Sequence, residues 1–419
     1  MKFITELVYW FKVVRYYHKV KKNHLESVTG IENLPDEGPF IVVANHSSFV
    51  DHYLVGALFK HLYNNPIYFL TKKESFENWW SRFWHRASNC IPVDREKPDI
   101  AAFKSMMAVL KDKKILVIYP EGTRGPGDQL LPFKTGAFKI AARMKVPIIP
   151  IGLVGVHKVM PRDQAHFSPV RASVNIGKPI AVDFIKQHSL EALTAYTKDR
   201  IHELCLAHDL PHMHMSNRAA SSEALARRVE SRIEAVLEAG DYQAIKEDFG
   251  LYEHAIDYSF LNTPRHIPTM VQQARLMGIR ALTSPVAFFR YIPKVKRLAE
   301  AVIALDAEHA FAHYILGQYY LKMPRLLGGS PQRALEALSV AFQNAPVYGI
   351  EQNKFTLTLA EAYEKTGNKP GALQLLQTAR DAQGEGVRFE KRKQRILHKI
   401  EQLTAQHQAS VDKAAASAA

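Results

Sequence analysis

Two kinds of hydrophobic pattern divide the chain near its middle. In the first half short apolar runs recur: Phe40-Ile41-Val42-Val43-Ala44, residues 66–70, Ile91-Pro92-Val93, Ile115-Leu116-Val117-Ile118-Tyr119, residues 147–154 and residues 171–176. Short runs rich in β-branched residues predict strands, and near-continuous apolar ones predict strands buried on both faces. Between them the spacing becomes helical: over 52–61, then at Ile100, Phe103, Met106, Met107 and Leu110, then over 133–144, and again from about residue 189. Buried strands alternating with helices predict an α/β domain over 35–207, a mixed sheet flanked by helices, with ligands at the carboxyl ends of the strands.

Residues 208–218 break the periodicity and read as a linker; the histidines of His208-Asp209-Leu210-Pro211-His212-Met213-His214-Met215 have no carboxylate or cysteine set around them, so no metal site is expected. Residues 219–405 are helical throughout. Two stretches there share one spacing: Leu316, Gly317, Tyr320, Ala334, Leu338, Ala341 and Pro346, and then Leu359, Ala360, Tyr363, Ala372, Leu376 and Ala379. That spacing resembles the tetratricopeptide repeat, in which small residues let paired helices approach; an irregular helical bundle is the alternative. An all-α, tetratricopeptide-like domain of this kind is expected to bind a protein partner. Residues 406–419, ending in Ala and Ser, lack large apolar residues and are expected to be disordered.

The opening stretch places Phe3, Leu7, Trp10, Phe11, Val14 and Tyr17 at helical spacing and repeats Lys12, Arg15, Lys19 and Lys22 on another face. Lys12 and Arg15 interrupt the apolar run well short of the roughly 20 residues a membrane span needs. No small-residue cleavage site follows. A basic amphipathic helix on a membrane surface, with a linker to residue 34, is the expectation; packing of the stripe on the protein's own core is the alternative. Composition agrees with a lipid surface: the formal net charge is +14 and the isoelectric point about 9.5, and no nucleic-acid-binding pattern accompanies the basic residues. The two cysteines, Cys90 and Cys205, are far apart and without redox or metal spacing.

Candidate chemistry sits just after the first apolar run, in Asn45-His46-Ser47-Ser48-Phe49-Val50-Asp51. A neutral histidine takes a proton from an alcohol only if the right tautomer faces the substrate, and a carboxylate fixes that tautomer. Asp51, in the first turn of the following helix, can do this for His46; simple helix capping is the alternative. A second turn, Tyr119-Pro120-Glu121-Gly122-Thr123-Arg124-Gly125-Pro126-Gly127, also begins at a strand end, and its glycines permit close approach to a ligand. Ser47 and Ser48 lack the G-x-S-x-G context of a serine nucleophile.

The segment from Asn45 through Asp51 resembles the first motif of the glycerolipid acyltransferases of the lysophosphatidic acid acyltransferase type, a histidine, four residues, then aspartate. Ile91-Pro92-Val93-Asp94-Arg95 is similar to their second motif, Tyr119-Pro120-Glu121-Gly122-Thr123-Arg124 to the third and Val146-Pro147-Ile148-Ile149-Pro150-Ile151 to the fourth. Asn89 stands where glycine is often found before the second motif, Tyr119 replaces the usual phenylalanine, and Gly125 replaces a common serine. These departures touch neighbours of the reacting groups.

The resemblance implies an O-acyltransferase that moves a fatty acyl group from a thioester, on coenzyme A or acyl carrier protein, to the hydroxyl of a lysophospholipid. The first choice of acceptor is 1-acylglycerol-3-phosphate, giving phosphatidic acid, and no cofactor is implied beyond the co-substrate. It casts His46 as general base and Asp51 as its support. Arg95, Glu121, Gly122, Thr123, Arg124 and Lys134 form the implied acceptor and phosphate pocket: Arg95 and Arg124 hold the anionic headgroup, Lys134 helps, and Glu121 and Gly122 shape the pocket. It places the protein on an anionic membrane surface at the cytoplasmic face, with no nucleic-acid partner. Another lyso-lipid acceptor, or a non-enzymatic membrane adaptor working through the helical repeats, are the competing readings. Residues 76–86, with Trp79, Trp80, Phe83 and Trp84, read equally as core filling, as a second membrane contact or as the wall of an acyl channel.

Overall fold

In the computed structural model, which describes residues 15–63, 67–161, 164, 166–206, 211–239, 244–380 and 387–418, the chain forms two compact units. One comprises residues up to 229 together with 250–266, the other 230–249 and 267 onward. The first unit runs through α1 (Arg15–His24), β1 (Leu25–Thr29), β2 (Phe40–Ala44), α2 (Asp51–Leu62), β3 (Ile67–Lys72), α3 (Trp79–Ala87) and β4 (Cys90–Val93). It continues with α4 (Ile100–Lys111), β5 (Ile115–Ile118), α5 (Gly136–Met144), β6 (Ile148–Val154), α6 (Val156–Val159), β7 (Ala172–Ile176), α7 (Val182–Gln187) and α8 (Leu190–Leu206).

The apolar runs become the middle of a seven-stranded sheet of order β1-β7-β6-β2-β5-β3-β4. β2 lies between β5 and β6, parallel to both, with Phe40 opposite Ile115 and Ile41 opposite Ile148. β6 and β7 are antiparallel and β1 is parallel to β7, so the sheet is mixed, as its sequence predicts. Every residue of β2 and β5 is buried, which is why neither run shows polar alternation. On one face Ile41, Val43, Leu116 and Ile118 join Met106 and Leu110 of α4, Phe138 of α5 and Ile201 of α8 in one core. On the other, Phe40 packs against Phe59 and Tyr63 of α2 and its flank, with ring centroids 5.9 and 5.8 Å away. Each such side chain contributes about 1.5–3 kcal/mol by leaving water.

Three boundaries differ from those expected of the sequence. Leu25–Thr29 is a strand within the expected linker, paired with β7. Its polar content hid it: Ser27 and Thr29 are buried, and their hydroxyls donate to Ser173 Oγ (2.9 Å) and Asn175 Oδ1 (2.7 Å) on the neighbouring strand. The expected linker over 208–218 is overturned from Pro211 onward, because α9 spans Pro211–Ala239 with proline at its first turn, where the missing N–H costs nothing. α9 and α10 (Ala244–Asn262) then cover the sheet edge. Asn262 exchanges two hydrogen bonds with the Val28 backbone, and Ser221 Oγ accepts from the Gly30 N–H. This satisfaction of an otherwise open edge assigns 250–266 and the first half of α9 to the sheet unit. Residues 406–418, expected to be disordered, continue the last helix; an alanine-rich stretch without glycine or proline favours that state.

The amphipathic stripe of the first 14 residues lies outside the described residues. In α1, which follows it, Arg15, Lys19 and Lys22 are exposed, whereas Val20 and Lys21 are buried on the sheet unit. Lys21 Nζ lies 3.2 Å from Asp257 Oδ2 and 4.1 Å over the Tyr258 ring. One face of this helix is therefore core and the other a basic surface.

Besides residues 230–249, the second unit comprises α11 (Ile267–Ala281), α12 (Pro285–Leu305), α13 (Ala310–Lys322), α14 (Pro331–Asn344), α15 (Asn353–Lys365), α16 (Lys369–Arg380) and α17 (Val387–Ala418). Ala334, Leu338 and Ala341 of α14 are fully buried, as are Ala360, Ala372 and Leu376 of the next pair. A Cβ at Gly317 would stand 2.4 Å from Leu338 Cγ, so the absent side chain sets the approach of α13 and α14. Gly317→Ala should therefore lower the stability of this unit by about 1–3 kcal/mol through overpacking. Combining it with Leu338→Ala should cost less than the sum of the two, since the cavity of one receives the methyl of the other. Denaturant melts of the four proteins check this; strict additivity would contradict the contact.

Candidate active site

The turn between β2 and α2 has its geometry set by one carboxylate. Asp51, at the first position of α2 and fully buried, directs Oδ2 back over the turn. That oxygen accepts from the Ser47 N–H at 2.7 Å and the Ser48 N–H at 2.9 Å, and lies 2.8 Å from His46 Nδ1. The contact with the imidazole and the capping of the turn, separate readings of the sequence, are made by the same oxygen. With the Nδ1 proton held by Asp51, Nε2 is the nitrogen left to accept a proton, on a ring that lines the cleft described below. The other face of the imidazole is fixed by Tyr119, stacked at 4.5 Å and 19°.

The loop after β5 is tied to the same turn. Glu121 is buried; its Oε1 accepts from the His46 N–H (2.7 Å) and its Oε2 from the Leu131 N–H (3.0 Å). The Gly125 N–H donates to His46 O at 2.7 Å. Burial raises the Glu121 pKa above the usual carboxylate value, opposed by the two backbone donors. Gly122 adopts φ +70°, a backbone conformation glycine enters without strain, and a Cβ there would meet only the flexible end of the Lys134 side chain, at 3.1 Å. Asn45 completes the frame by bonding the Leu153 backbone in both directions, at 2.9 and 2.7 Å, which joins β2 to the strand carrying the fourth motif.

A cleft of 1120 Å³ opens at the carboxyl ends of β2, β3, β4 and β5. His46, Arg95, Thr123 and Arg124 all line it, so the structure brings together residues from three separated motifs. Arg124 stacks its guanidinium 3.7 Å over the Phe49 ring, within the first motif. Lys134 is exposed and turns its Nζ to Arg95 O at 3.3 Å, supporting the Arg95 loop. Glu121 and Gly122 stand behind the wall and shape it, with the Glu121 oxygens engaged by backbone donors.

Sequence reasoning did not assign His52, Phe49 or the α1 residues Arg15 and Lys19 to the site, and all four line the same cleft. Phe49 and His52 lie within or beside the first motif, a signal that was present. Arg15 and Lys19 carry no local signal for a cleft, because only the packing of α1 brings them there. His52 has its pKa pushed down to about 3, first by burial and then by the neighbouring His46 and His85 charges.

The acyltransferase family model matches residues 27–154. The chain is 33% identical over 177 residues to the 1-acyl-sn-glycerol-3-phosphate acyltransferase of Bacillus subtilis (strain 168), covering 41% of this chain and 84% of that one. It belongs to this acyltransferase family. It is also 30% identical over 203 residues to the protein so named in Saccharomyces cerevisiae, covering 46% of this chain and 65% of that relative. The solved structure of the 1-acyl-sn-glycerophosphate (LPA) acyltransferase PlsC from Thermotoga maritima is 24% identical, with a TM-score of 0.40, covering 46% of this chain and 77% of that one. The family match lies within the sheet unit, and the helical unit extends beyond it.

Two outcomes follow from the site. Glu121→Ala leaves two half-buried N–H groups without their acceptor, at a combined cost of about 1–3 kcal/mol, and should lower both turnover and melting temperature. Glu121→Gln retains the shape and one acceptor and should retain more of both. For His52, the folded pKa lies below the ordinary value of 6.5, so the unfolded chain binds more protons and the stability contribution is lost as pH falls through that window. Melting temperature against pH should therefore fall less steeply between 6.5 and about 3 in His52→Gln than in the parent.

Proposed function

We propose that this chain transfers a fatty acyl group from a thioester of coenzyme A or acyl carrier protein to the free hydroxyl of 1-acyl-sn-glycerol-3-phosphate, giving phosphatidic acid. The observation that carries this reading is the Asp51–His46 pair, 2.8 Å apart, at a cleft that also holds Arg95 and Arg124. His46 Nε2 takes the hydroxyl proton as the oxygen attacks the thioester carbonyl carbon, and Asp51 stabilises the imidazolium that forms. The tetrahedral intermediate collapses with cleavage of the carbon–sulfur bond, and the departing sulfur takes the proton back from His46. No covalent acyl-enzyme is needed. Arg124 and Arg95 hold the acceptor phosphate, for which the planar guanidinium is suited. The cleft exceeds the usual 300–1,000 Å³ of small-molecule sites, consistent with a headgroup and acyl chain together.

The chain works at the cytoplasmic face of an anionic membrane. The exposed Arg15, Lys19 and Lys22 stripe supports this, and among the described residues no helix is long and apolar enough to cross a bilayer. The helical unit serves as a tetratricopeptide-like partner module. Its buried Ala334, Ala341, Ala360 and Ala372 and a groove of 340 Å³ lined by Tyr314, Gln318, Lys354 and Arg395 support that reading.

The test uses the purified full chain with both substrates varied. His46→Ala should abolish transfer, and Asp51→Asn should reduce kcat by about 10²–10⁴-fold, with the melting curve of His46→Ala unchanged. Arg124→Ala and Arg95→Ala should raise the KM for the acceptor and leave that for the thioester. Near-parental turnover in His46→Ala contradicts the catalytic assignment; equal losses for both substrates place the arginines in a different subsite.

A further inference from the structure

We propose that α3 seats the mouth of the cleft in the headgroup layer of an anionic bilayer, with Trp79 and Trp80 as the inserted side chains. This rests on the lipid-acyltransferase reading and assigns it an entry face. Trp79 is 73% exposed and Trp80 51%, large values for the residue type with most to gain from burial. Neither is a stray surface aromatic. They meet edge to face at 5.4 Å, and Trp80 touches Phe83 and Trp84 at 6.0 and 5.7 Å, so the exposed rings are the outer rim of one aromatic cluster.

The inner member of that cluster faces the chemistry. Trp84 and His85 line the same cleft as His46, and α3 therefore presents one side to the reacting groups and the other to solvent. Its N-terminus is held by Asn78 Oδ1, which accepts from the Trp80 and Ser81 N–H groups at 2.8 and 3.3 Å, so the aromatic face is carried on an ordered helix. The sequence of α3, WWSRFWHRA, has no acidic residue, and its Arg82 and Arg86 are exposed. Glu74 and Glu77 lie just before it, outside the helix. Indole at the rim with arginine beside it matches the chemistry of an anionic interface, where aromatic rings sit at the headgroup level and cations meet lipid phosphates. An acceptor that is itself a lipid can then pass from the bilayer along the aromatic cluster to His46 without crossing bulk water.

The experiment uses the full chain carrying Trp10→Phe and Trp84→Phe, which leaves Trp79 and Trp80 as the remaining two of four tryptophans. On vesicles of equal parts phosphatidylcholine and phosphatidylglycerol, emission should shift to the blue and be quenched by lipids brominated on the acyl chain. A chain that sediments with vesicles while its emission stays unquenched overturns the proposal. Separately, Trp79→Ser with Trp80→Ser should weaken vesicle binding by about tenfold. It should raise the KM for a vesicle-embedded acceptor, while leaving the KM for a short-chain, monomeric acceptor unchanged. If that variant instead binds vesicles as the parent does and loses affinity only for acyl carrier protein, the patch is a protein-docking surface and the proposal fails. Absence of acyl transfer in every protein, parent included, would remove the functional reading; the quenching result still decides whether α3 meets lipid.

Discussion

One oxygen atom, Oδ2 of Asp51, accepts from two backbone amides and the imidazole of His46, and the site is built outward from that convergence. The two amides hold the carboxylate where the helix begins, so the group that orients the His46 ring is itself immobilised by the fold. A charged acceptor shared in this way is stronger than neutral hydrogen bonds and is paid for in advance by folding, which is what preorganisation requires. Glu121 extends the same logic to the neighbouring loop, gripping the His46 N–H with one oxygen and the Leu131 N–H with the other.

This convergence depends on strand order. β2 and β5 are distant in sequence but adjacent and parallel in the sheet, so their carboxyl ends release the two loops side by side. β6, on the other flank of β2, receives the Asn45 side chain and prevents the turn from rotating. The helices that return to cover β1 serve the sheet in a different way: Asn262 satisfies both polar groups of Val28 and closes an edge that would otherwise be open to another strand. Basic residues of α1 and aromatic residues of α3 then form parts of the cleft wall that none of the four family motifs contains.

Much of the sheet was legible because burial on both faces forces near-continuous apolar runs, and five residues such as Phe40–Ala44 admit few other readings. β1 was not, since Leu25-Glu26-Ser27-Val28-Thr29 pairs its hydroxyls across the ladder and so resembles a loop in composition. The stretch after Leu206 failed for a related reason. Histidines and a proline suggest a linker, yet proline is tolerated in a first helical turn, and the helix that starts there draws its stability from burial of Leu225, Ala226 and Val229, with the buried Ser221 and Ser222 hydroxyls hydrogen-bonded.

By itself the sequence determined the chemistry available: a histidine and an aspartate five positions apart bracket one strand-to-helix turn, and a glutamate, a glycine and an arginine cluster at another. It also determined that the second half is helical, through small and large apolar residues recurring at helical spacing. Only the tertiary structure decided which of these groups meet. Glu121 is held by two backbone N–H groups from separate loops, one on each oxygen, and Arg124 is placed by the Phe49 ring beneath it. The physical reason is common to each case: residue type sets what a group can donate, accept or bury, whereas partners far along the chain set which of those capacities is left over for a substrate.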